Sequence, residues 1–243
     1  MSCENIVIIP TYNEKGNIEK MIHKVFSLTT PFDLLIIDDG SPDGTADIVK
    51  QLQNTYPDRL FLLERKGKLG LGTAYIAGFK WALEKTYNYI FEMDCDFSHN
   101  PEDLIRLYET CKAGADLAVG SRYVKGGGFV NWPNDRIFIS KGASIYVNLI
   151  TWIGIKDPTA GFVCYKRKVL ETINLDKIRF IGYAFQIEMK FATKRLGFVV
   201  KEIPIIFTER VEGVSKMSKN IIKEGILGVL EIQWHSFFSN YKK

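Results

Sequence analysis

The feature of this sequence that most constrains its fold is the alternation of short apolar runs with segments of helical periodicity. Residues 6–9 and 34–37 are continuous apolar runs that end in polar turn residues, which is typical of strands buried on both faces. Between them, the apolar residues of 18–26 recur at helical spacing and form a single stripe. Residues 6–37 therefore predict a strand–helix–strand unit with parallel strands.

The same alternation continues to residue 120 without a linker, repeat or low-complexity stretch. It predicts helices over 43–56, 72–85 and 101–111 and strands over 60–63, 89–93 and 116–120. We expect these strands to complete a parallel core, and we interpret residues 1–243 as one domain. The predicted fold class is α/β, with a mostly parallel, Rossmann-like sheet flanked by helices.

Charge and cysteine content argue against several classes of protein. The net charge of +4 is spread among nearly as many acidic as basic residues, so we expect no nucleic-acid partner. Cys3, Cys95, Cys111 and Cys164 lie far apart and lack metal-ligand spacing, which disfavours a disulfide framework or a structural zinc site. We expect no secretory signal, because the N-terminus lacks a basic region followed by a long apolar stretch. We expect no membrane-spanning helix, because no apolar stretch reaches the roughly 18–20 residues that a bilayer requires.

Charged residues gather just beyond the predicted strand ends, where α/β proteins usually bind ligands. Four such strand tips are 10–14, 38–41, 94–96 and 121–123, of which three carry carboxylates and the fourth carries Arg122. A single Asn or Asp at such a position is more often a helix cap or a turn residue. Several acids at one edge of the sheet repel one another, however, and a divalent cation that binds diphosphate oxygens would explain their convergence.

Asp94 and Asp96 follow the apolar run 89–93 directly and flank Cys95. Two acids in a D-x-D pattern are a weak signal alone, but the position at a strand end strengthens it. Carboxylate oxygens suit Mg²⁺ or Mn²⁺ and leave coordination positions for substrate phosphate. We therefore predict Asp94 and Asp96 as metal ligands, with the metal neutralising a departing nucleotide diphosphate. In the segment 37–45, Asp39 could accept hydrogen bonds from a nucleotide base or ribose.

A set of motifs in a fixed order then indicates a family. The strings are IIPTYNE, IIDDGSPDGT, KLGLGTAY, MDCDFSH, GSRYVKGGG, ISKGA and ERVEGVSKM, which span residues 6–217. In this order they resemble the dolichyl-phosphate mannose synthases, inverting family 2 glycosyltransferases with a GT-A fold. The resemblance implies transfer of mannose from GDP-mannose to dolichyl phosphate, which supplies mannose for glycosylation and GPI-anchor synthesis.

The resemblance also implies roles for individual residues. The GDP part of the donor would contact Pro10, Tyr12, Glu14, Ile37 and Asp39. The metal and the donor diphosphate would contact Asp94, Cys95 and Asp96. The donor and acceptor phosphates would be held by Arg122, Arg136, Arg210 and Lys216. Of all these, the resemblance implies a catalytic role for Asp96, Arg122 and Arg136.

Lys141 is open to two interpretations, a phosphate contact or a solvated or membrane-facing charge. Two residues depart from the pattern of the family. Cys95 stands where alanine is expected, and Ser98 stands where some relatives have glutamine near the metal. The substitution at 98 leaves Asp94 and Asp96 as the predicted protein ligands.

Two further apolar stretches, 136–155 and 218–239, are predicted as interfacial helices that lie on a membrane, and the first is expected to guide a polyprenyl chain to the site. For the first, an ordinary core or dimer helix is an equally open alternative. The resemblance implies a peripheral location at the cytoplasmic face of the endoplasmic reticulum, with small membrane-anchoring subunits as partners.

Two other functions are compatible with parts of the sequence, and a third is disfavoured. A dolichyl-phosphate glucose synthase would share the strand tips and differ in donor, and a catalytically silent nucleotide-sugar-binding subunit would keep the fold without turnover. A Rossmann dehydrogenase is disfavoured, because PTYNEKGN and not a glycine-rich turn follows the first strand.

Overall fold

The computed structural model describes residues 3–182, 184–209, 219–236 and 240–243. Its first half alternates strands and helices in the order β1 (Asn5–Thr11), α1 (Ile18–Phe26), β2 (Asp33–Asp38), α2 (Thr45–Gln53), β3 (Leu60–Glu64), α3 (Leu71–Leu83), β4 (Tyr89–Glu92), α4 (Asp103–Lys112) and β5 (Leu117–Ser121). Every strand and helix predicted up to residue 121 is present, with ends that differ by a few residues.

The second half contains more strands than the sequence analysis predicted. Its elements are β6 (Gly128–Val130), α5 (Asn134–Thr151), β7 (Val163–Lys166), α6 (Arg167–Thr172), a 3₁₀ turn (Leu175–Lys177), α7 (Ala184–Arg195), β8 (Val200–Pro204), β9 (Ile206–Thr208) and α8 (Lys219–His235). None of the four strands in this half was predicted, because each has only three to five residues and lacks a long apolar run.

The main sheet has seven strands in the order β3-β2-β1-β4-β7-β5-β8. The pairs within β3-β2-β1-β4 and the pair β5-β8 are parallel, whereas β7 runs antiparallel to both β4 and β5. The expectation of one parallel core is thus correct for the first four strands. It is wrong for β5, which runs in the same direction as β4 but is separated from it by β7. Strands β6 and β9 form a small second sheet.

Both faces of the main sheet are buried. On β1, Ile6 and Ile8 face one apolar cluster, which includes residues of α3 and α7. Val7 and Ile9 face the other cluster, which includes residues of α1 and α4. Side chains alternate between the faces of a strand, so a continuous apolar run is what a sheet covered on both sides requires. This burial leaves the strand ends as the place where polar side chains can gather.

The two predicted interfacial stretches are largely helical. Helix α5 ends at Thr151, and Trp152 adopts a left-handed conformation with φ of 51°. Ile153 and Ile155 then lie buried in the following loop. Helix α8 lies within the predicted range 218–239, of which 218 and 237–239 are outside the described residues, and packs against α5 and α7. Across the ranges described above, no helix combines the length and apolar character needed to cross a bilayer.

Candidate active site at the strand ends

The tips of β1, β2 and β4 meet at one edge of the sheet, as predicted. Pro10 is paired in register with Ile37, and the backbone N–H of Asp39 donates to the Thr11 carbonyl at 3.0 Å. On the other side of β1, the Met93 N–H donates to the Ile8 carbonyl at 3.2 Å, so the segment 94–96 leaves the sheet beside the tip of β1. The predicted nucleotide residues and the predicted metal residues therefore adjoin.

Glu14 is held in place by the start of α2. Its N–H donates to Thr45 Oγ1 at 3.0 Å, and its carboxylate accepts a hydrogen bond from Asn17 Nδ2 at 3.0 Å. The Thr45 hydroxyl in turn donates to Asp43 at 2.6 Å. Close by, Lys68 Nζ lies 5.2 Å from the ring centre of Tyr12, within range of a cation–π contact. The tip of β1 is thus fixed by its neighbours.

Asp39 is buried and forms an ion pair with Arg65, the residue that follows β3. Arg65 Nε donates to Asp39 Oδ1 at 2.6 Å. The same guanidinium donates from Nη1 to Thr73 Oγ1 at 2.8 Å and from Nη2 to the Gly70 carbonyl at 3.4 Å. Arg65 therefore ties the predicted base- or ribose-binding carboxylate to the start of α3. Arg65 was not among the predicted site residues, although it stands at a strand tip and could have been found by the same rule.

The turn after β4 concentrates negative charge around Cys95. Burial raises the pKa of the Cys95 thiol, and the charges of Glu14, Asp96 and Asp94 raise it further. Carboxylates that accumulate at one turn fit a divalent cation. Among the described residues, no three His, Cys, Asp or Glu side chains form a metal-binding group. Asp94 and Asp96 lie at one turn and have carboxylate oxygens of the kind that Mg²⁺ or Mn²⁺ prefers, and their role as metal ligands stays a prediction.

Ser98 and His99 follow this turn and are buried. The Ser98 N–H donates to Asp96 Oδ1 at 3.0 Å, and its carbonyl accepts from the N–H of Thr208 on β9 at 3.1 Å. Within the described part of the chain, Ser98 Oγ and His99 Nδ1 have no hydrogen-bond partner. The His99 ring stacks on Phe162 at 4.9 Å, and burial lowers the pKa of His99 to about 4. The imidazole is therefore neutral at pH 7.

Arg122, beyond β5, is held by a carboxylate that the sequence analysis missed. Arg122 Nε and Nη2 each donate to Asp157 at 2.7 Å, and Nη2 also donates to Thr159 Oγ1 at 2.8 Å. Burial would raise the pKa of Asp157, but the charge and hydrogen bonds of Arg122 outweigh it and lower that pKa. The guanidinium also lies within 6.0 Å of four ring centres, those of Tyr123, Phe129, Trp132 and Phe207.

Asp157 begins the turn sequence DPTAG and is fully buried. A buried arginine requires a buried carboxylate, so the partner of Arg122 could have been sought among the aspartates and glutamates of turn sequences. The sequence has several of these, and it does not show which one pairs with Arg122.

The other predicted cations have mixed outcomes. Arg136, in the first turn of α5, forms an ion pair with Glu209 at 3.0 Å, next to β9. Lys141 is exposed on α5, one residue after Ser140, whose hydroxyl accepts from the Tyr123 hydroxyl at 2.7 Å. Arg210 and Lys216 lie outside the described residues. The phosphate-binding roles of all four cations stay predictions.

Residues 6–173 match the family described as glycosyl transferase family 2. This chain belongs to glycosyl transferase family 2. Two bacterial relatives align over nearly its whole length. A polyprenol monophosphomannose synthase from Mycolicibacterium smegmatis is 47% identical over 226 residues, which cover 93% of this chain and 85% of that protein. An undecaprenyl-phosphate mannosyltransferase from Micrococcus luteus is 44% identical over 224 residues, which cover 92% of this chain and 91% of that protein.

Solved structures of distant relatives show the fold of this family 2 glycosyltransferase. A glucosyl-3-phosphoglycerate synthase from Mycobacterium tuberculosis superposes with a TM-score of 0.70 at 16% identity, over 95% of this chain and 80% of that one. A mannosyltransferase from Pyrobaculum calidifontis, solved with GDP-Man and Mn²⁺, superposes with a TM-score of 0.57 at 17% identity, over 97% of this chain and 74% of that one. The predicted GT-A fold is confirmed, with a mixed, mostly parallel seven-stranded sheet flanked by helices.

Proposed function

We propose that this protein transfers mannose from GDP-mannose to a polyprenyl phosphate, with inversion at the anomeric carbon, to form polyprenyl-phosphate mannose. The observation that carries the proposal is the 47% identity, over 93% of the chain, to a protein named polyprenol monophosphomannose synthase. The adjoining strand tips support it, because residues suited to a nucleotide and residues suited to a metal–diphosphate lie side by side.

The donor would lie across the tips of β1, β2 and β4. Pro10, Tyr12, Glu14, Ile37 and Asp39 would hold the guanosine part, with the Asp39 carboxylate oriented by Arg65 at 2.6 Å. Asp94 and Asp96 would hold Mg²⁺ or Mn²⁺ beside the diphosphate, with Cys95 between them at the turn. When bound, the metal would neutralise charge that develops on the departing GDP. The solved mannosyltransferase with GDP-Man and Mn²⁺ is consistent with this choice of ion.

The acceptor would need little help from a general base, because a phosphomonoester is already an anion at neutral pH. Its oxygen would attack the anomeric carbon from the face opposite GDP. Arg122 and Arg136 would orient the acceptor phosphate, and we expect the ion pair with Asp157 to fix the plane of the Arg122 guanidinium. Arg210 and Lys216 are the further cations implied by the resemblance.

We also propose that the protein binds a membrane surface through α5. Phe138, Ile145 and Leu149 are exposed and follow one another at intervals of 7 and 4 residues, which places them on one side of the helix. Trp152, directly after the end of the helix, is exposed as well. Phe138 is 78% and Trp152 is 83% exposed, which is unusual for large apolar side chains. On α8, which packs against α5, Leu227, Leu230 and Trp234 are also exposed. Such a surface fits the interface of a bilayer.

The motif order and the names of the two relatives favour different polyprenyl phosphates as the acceptor. The motif order favours dolichyl phosphate, and with it the cytoplasmic face of the endoplasmic reticulum, small anchoring subunits and a role in glycosylation and GPI-anchor synthesis. The two relatives carry the names polyprenol and undecaprenyl-phosphate instead. On the motif order, dolichyl phosphate is our first choice of acceptor; on the names of the relatives, undecaprenyl phosphate is the acceptor to compare with it.

Titration calorimetry tests the donor part of the proposal without an acceptor. With Mn²⁺ present, we expect GDP-mannose to bind the purified protein and UDP-glucose to bind at least tenfold more weakly. Tighter binding of UDP-glucose would favour the alternative of a polyprenyl-phosphate glucose synthase. Parallel transfer assays with dolichyl and undecaprenyl phosphate would then decide the acceptor.

A further inference from the structure

A buried network of polar side chains, centred on Lys190 of α7, connects the two parts of the proposed site. These parts are the Asp94–Asp96 turn and Arg122. Lys190 and Gln186 lie one turn apart on the same face of α7, and both are buried. Lys190 Nζ donates to the Ala160 carbonyl at 2.6 Å, to Gln186 Oε1 at 3.1 Å and to the Gln186 carbonyl at 3.2 Å. These three contacts match the three donors of an ammonium group.

One arm of the network reaches the predicted metal turn. The Gln186 side-chain amide donates to the carboxylate of Glu92, which is fully buried at the end of β4. Glu92 precedes Asp94 by two residues, so the position of its side chain is coupled to the point where the turn leaves the sheet.

The other arm reaches Arg122. The Ala160 N–H donates to the Asp157 carbonyl at 3.3 Å within the turn 157–161, and the Asp157 side chain holds Arg122. The charges of both Asp157 and Arg122 act on the pKa of Lys190. By its hydrogen bond to Ala160, the ammonium group of Lys190 therefore stabilises the turn 157–161, which orients Arg122.

A buried ammonium group is costly to maintain. Burial lowers the pKa of Lys190, although the negative charges of Glu92 and Asp157 act in the opposite direction. Well-packed apolar residues often replace a buried ion pair with no loss of stability, so stability alone is a weak explanation for a lysine at this position. A stronger explanation for the lysine is that it sets the relative position of the two parts of the site, because transfer requires donor and acceptor to be aligned closely.

We propose that Lys190 is a positioning residue that, through Gln186 and Ala160, sets the placement of the Asp94–Asp96 turn relative to Arg122. This inference rests on the proposed mannosyl transfer. Donor binding uses the metal turn and the β1 and β2 tips, so it depends less on Lys190 than the transfer step, which needs both halves together.

The test is the Lys190→Met variant, assayed for transfer of mannose from GDP-mannose to dolichyl phosphate with Mn²⁺. Activity is divided by the concentration of sites that bind GDP-mannose, so that misfolded protein does not count. We expect kcat per binding site to fall about 10- to 100-fold, while KM for GDP-mannose changes less than about 3-fold. A kcat per site equal to that of the wild type would overturn the inference.

Two further variants separate positioning from stability and charge balance. Glu188→Gln removes another buried charge from α7, one that accepts from the N–H groups of Arg179 and Phe180, and should leave kcat per site unchanged. The double variant Glu92→Gln/Lys190→Met removes the ammonium group together with the carboxylate whose negative charge acts on it, but still leaves the Ala160 carbonyl without its donor. We therefore expect its kcat to stay low. Recovery of wild-type kcat in the double variant would show that charge balance and not position is decisive. Failure of the wild-type protein to form any mannolipid would instead overturn the proposed function.

Discussion

Asp157 and Arg122 form a bidentate ion pair in the interior, with Nε–Oδ2 and Nη2–Oδ1 distances of 2.7 Å. Asp157 has no exposed side-chain surface, and the side chain of Arg122 is 8% exposed. The Arg122 N–H also donates to Asp157 Oδ2 at 3.0 Å. This carboxylate therefore fixes both the backbone and the guanidinium of the residue that follows β5.

We predict that Asp157→Asn lowers the free energy of unfolding by roughly 3–5 kcal/mol, because it leaves a buried guanidinium without its counter-charge. Urea unfolding followed by circular dichroism measures this. Asp176→Asn is the matched control, since its partner Lys80 is an exposed lysine and exposed pairs contribute little. Equal midpoints for Asp157→Asn and wild type would show that the pair is not important for stability.

His99 predicts a pH dependence of stability. Burial, together with the charge of Arg122, lowers its pKa from 6.5 to about 4 despite the nearby carboxylates of Asp96 and Asp157. As the pH falls, His99 is therefore protonated near pH 6.5 in the unfolded chain but only near pH 4 in the folded protein. The free energy of unfolding should fall as the pH drops through this window.

His99→Phe should flatten that decline while retaining a ring to stack on Phe162. Urea unfolding at several pH values between about 4.5 and 7.5 measures the slope in each protein. An unchanged slope in the variant would assign the acid sensitivity to other groups.

Two helical glycines give opposite predictions for substitution by alanine. At Gly78 on α3, a Cβ would lie 2.7 Å from Ile8 Cγ2 and 2.8 Å from Ile37 Cδ1, so Gly78→Ala should destabilise by about 1–3 kcal/mol. At Gly142 on α5, a Cβ meets nothing within 4 Å, so Gly142→Ala should stabilise by about 0.5–1 kcal/mol. Thermal unfolding of both variants checks this, and a stable Gly78→Ala would mean that β1 and β2 can move away.

The sequence predicted the first half of the fold well because its strands are buried on both faces and its helices carry clear stripes. Residues 34–37, for example, read as a strand without any tertiary information, and the rule that ligands bind at strand ends then brought Pro10, Asp39 and Asp94 to one edge. The antiparallel strand β7 was missed, because its four residues carry no period that separates them from a loop.

The partners of the site residues were harder to predict than the residues themselves. Asp39 and Arg122 were found by position and motif, but Arg65, Asp157 and Lys190 contact their partners through the tertiary fold. Arg65 lies 26 residues from Asp39, and Asp157 lies 35 residues from Arg122. Periodicity and local motifs carry no information about such pairs, so the electrostatics of the site emerged only with the structure.

The exposed face of α5 predicts binding to lipid vesicles. Replacing Phe138, Leu149 and Trp152 together by serine removes apolar surface without disturbing the buried side of the helix, so co-sedimentation with dolichyl-phosphate-containing vesicles should fall at least tenfold. Val199→Ser is a suitable control, because Val199 is 48% exposed and precedes the amino end of β8, whereas the site lies at the carboxyl ends of the strands. Unchanged sedimentation of the triple variant would contradict a membrane role for α5.

The most direct test of the central claim is formation of radiolabelled mannolipid from GDP-mannose and dolichyl phosphate by the purified protein, with and without Mn²⁺ or Mg²⁺. We predict product that depends on the metal and that falls at least 100-fold in Asp96→Asn, while the protein stays folded. No product with dolichyl or undecaprenyl phosphate, or glucolipid in preference to mannolipid when UDP-glucose is the donor, would contradict the proposed mannosyl transfer.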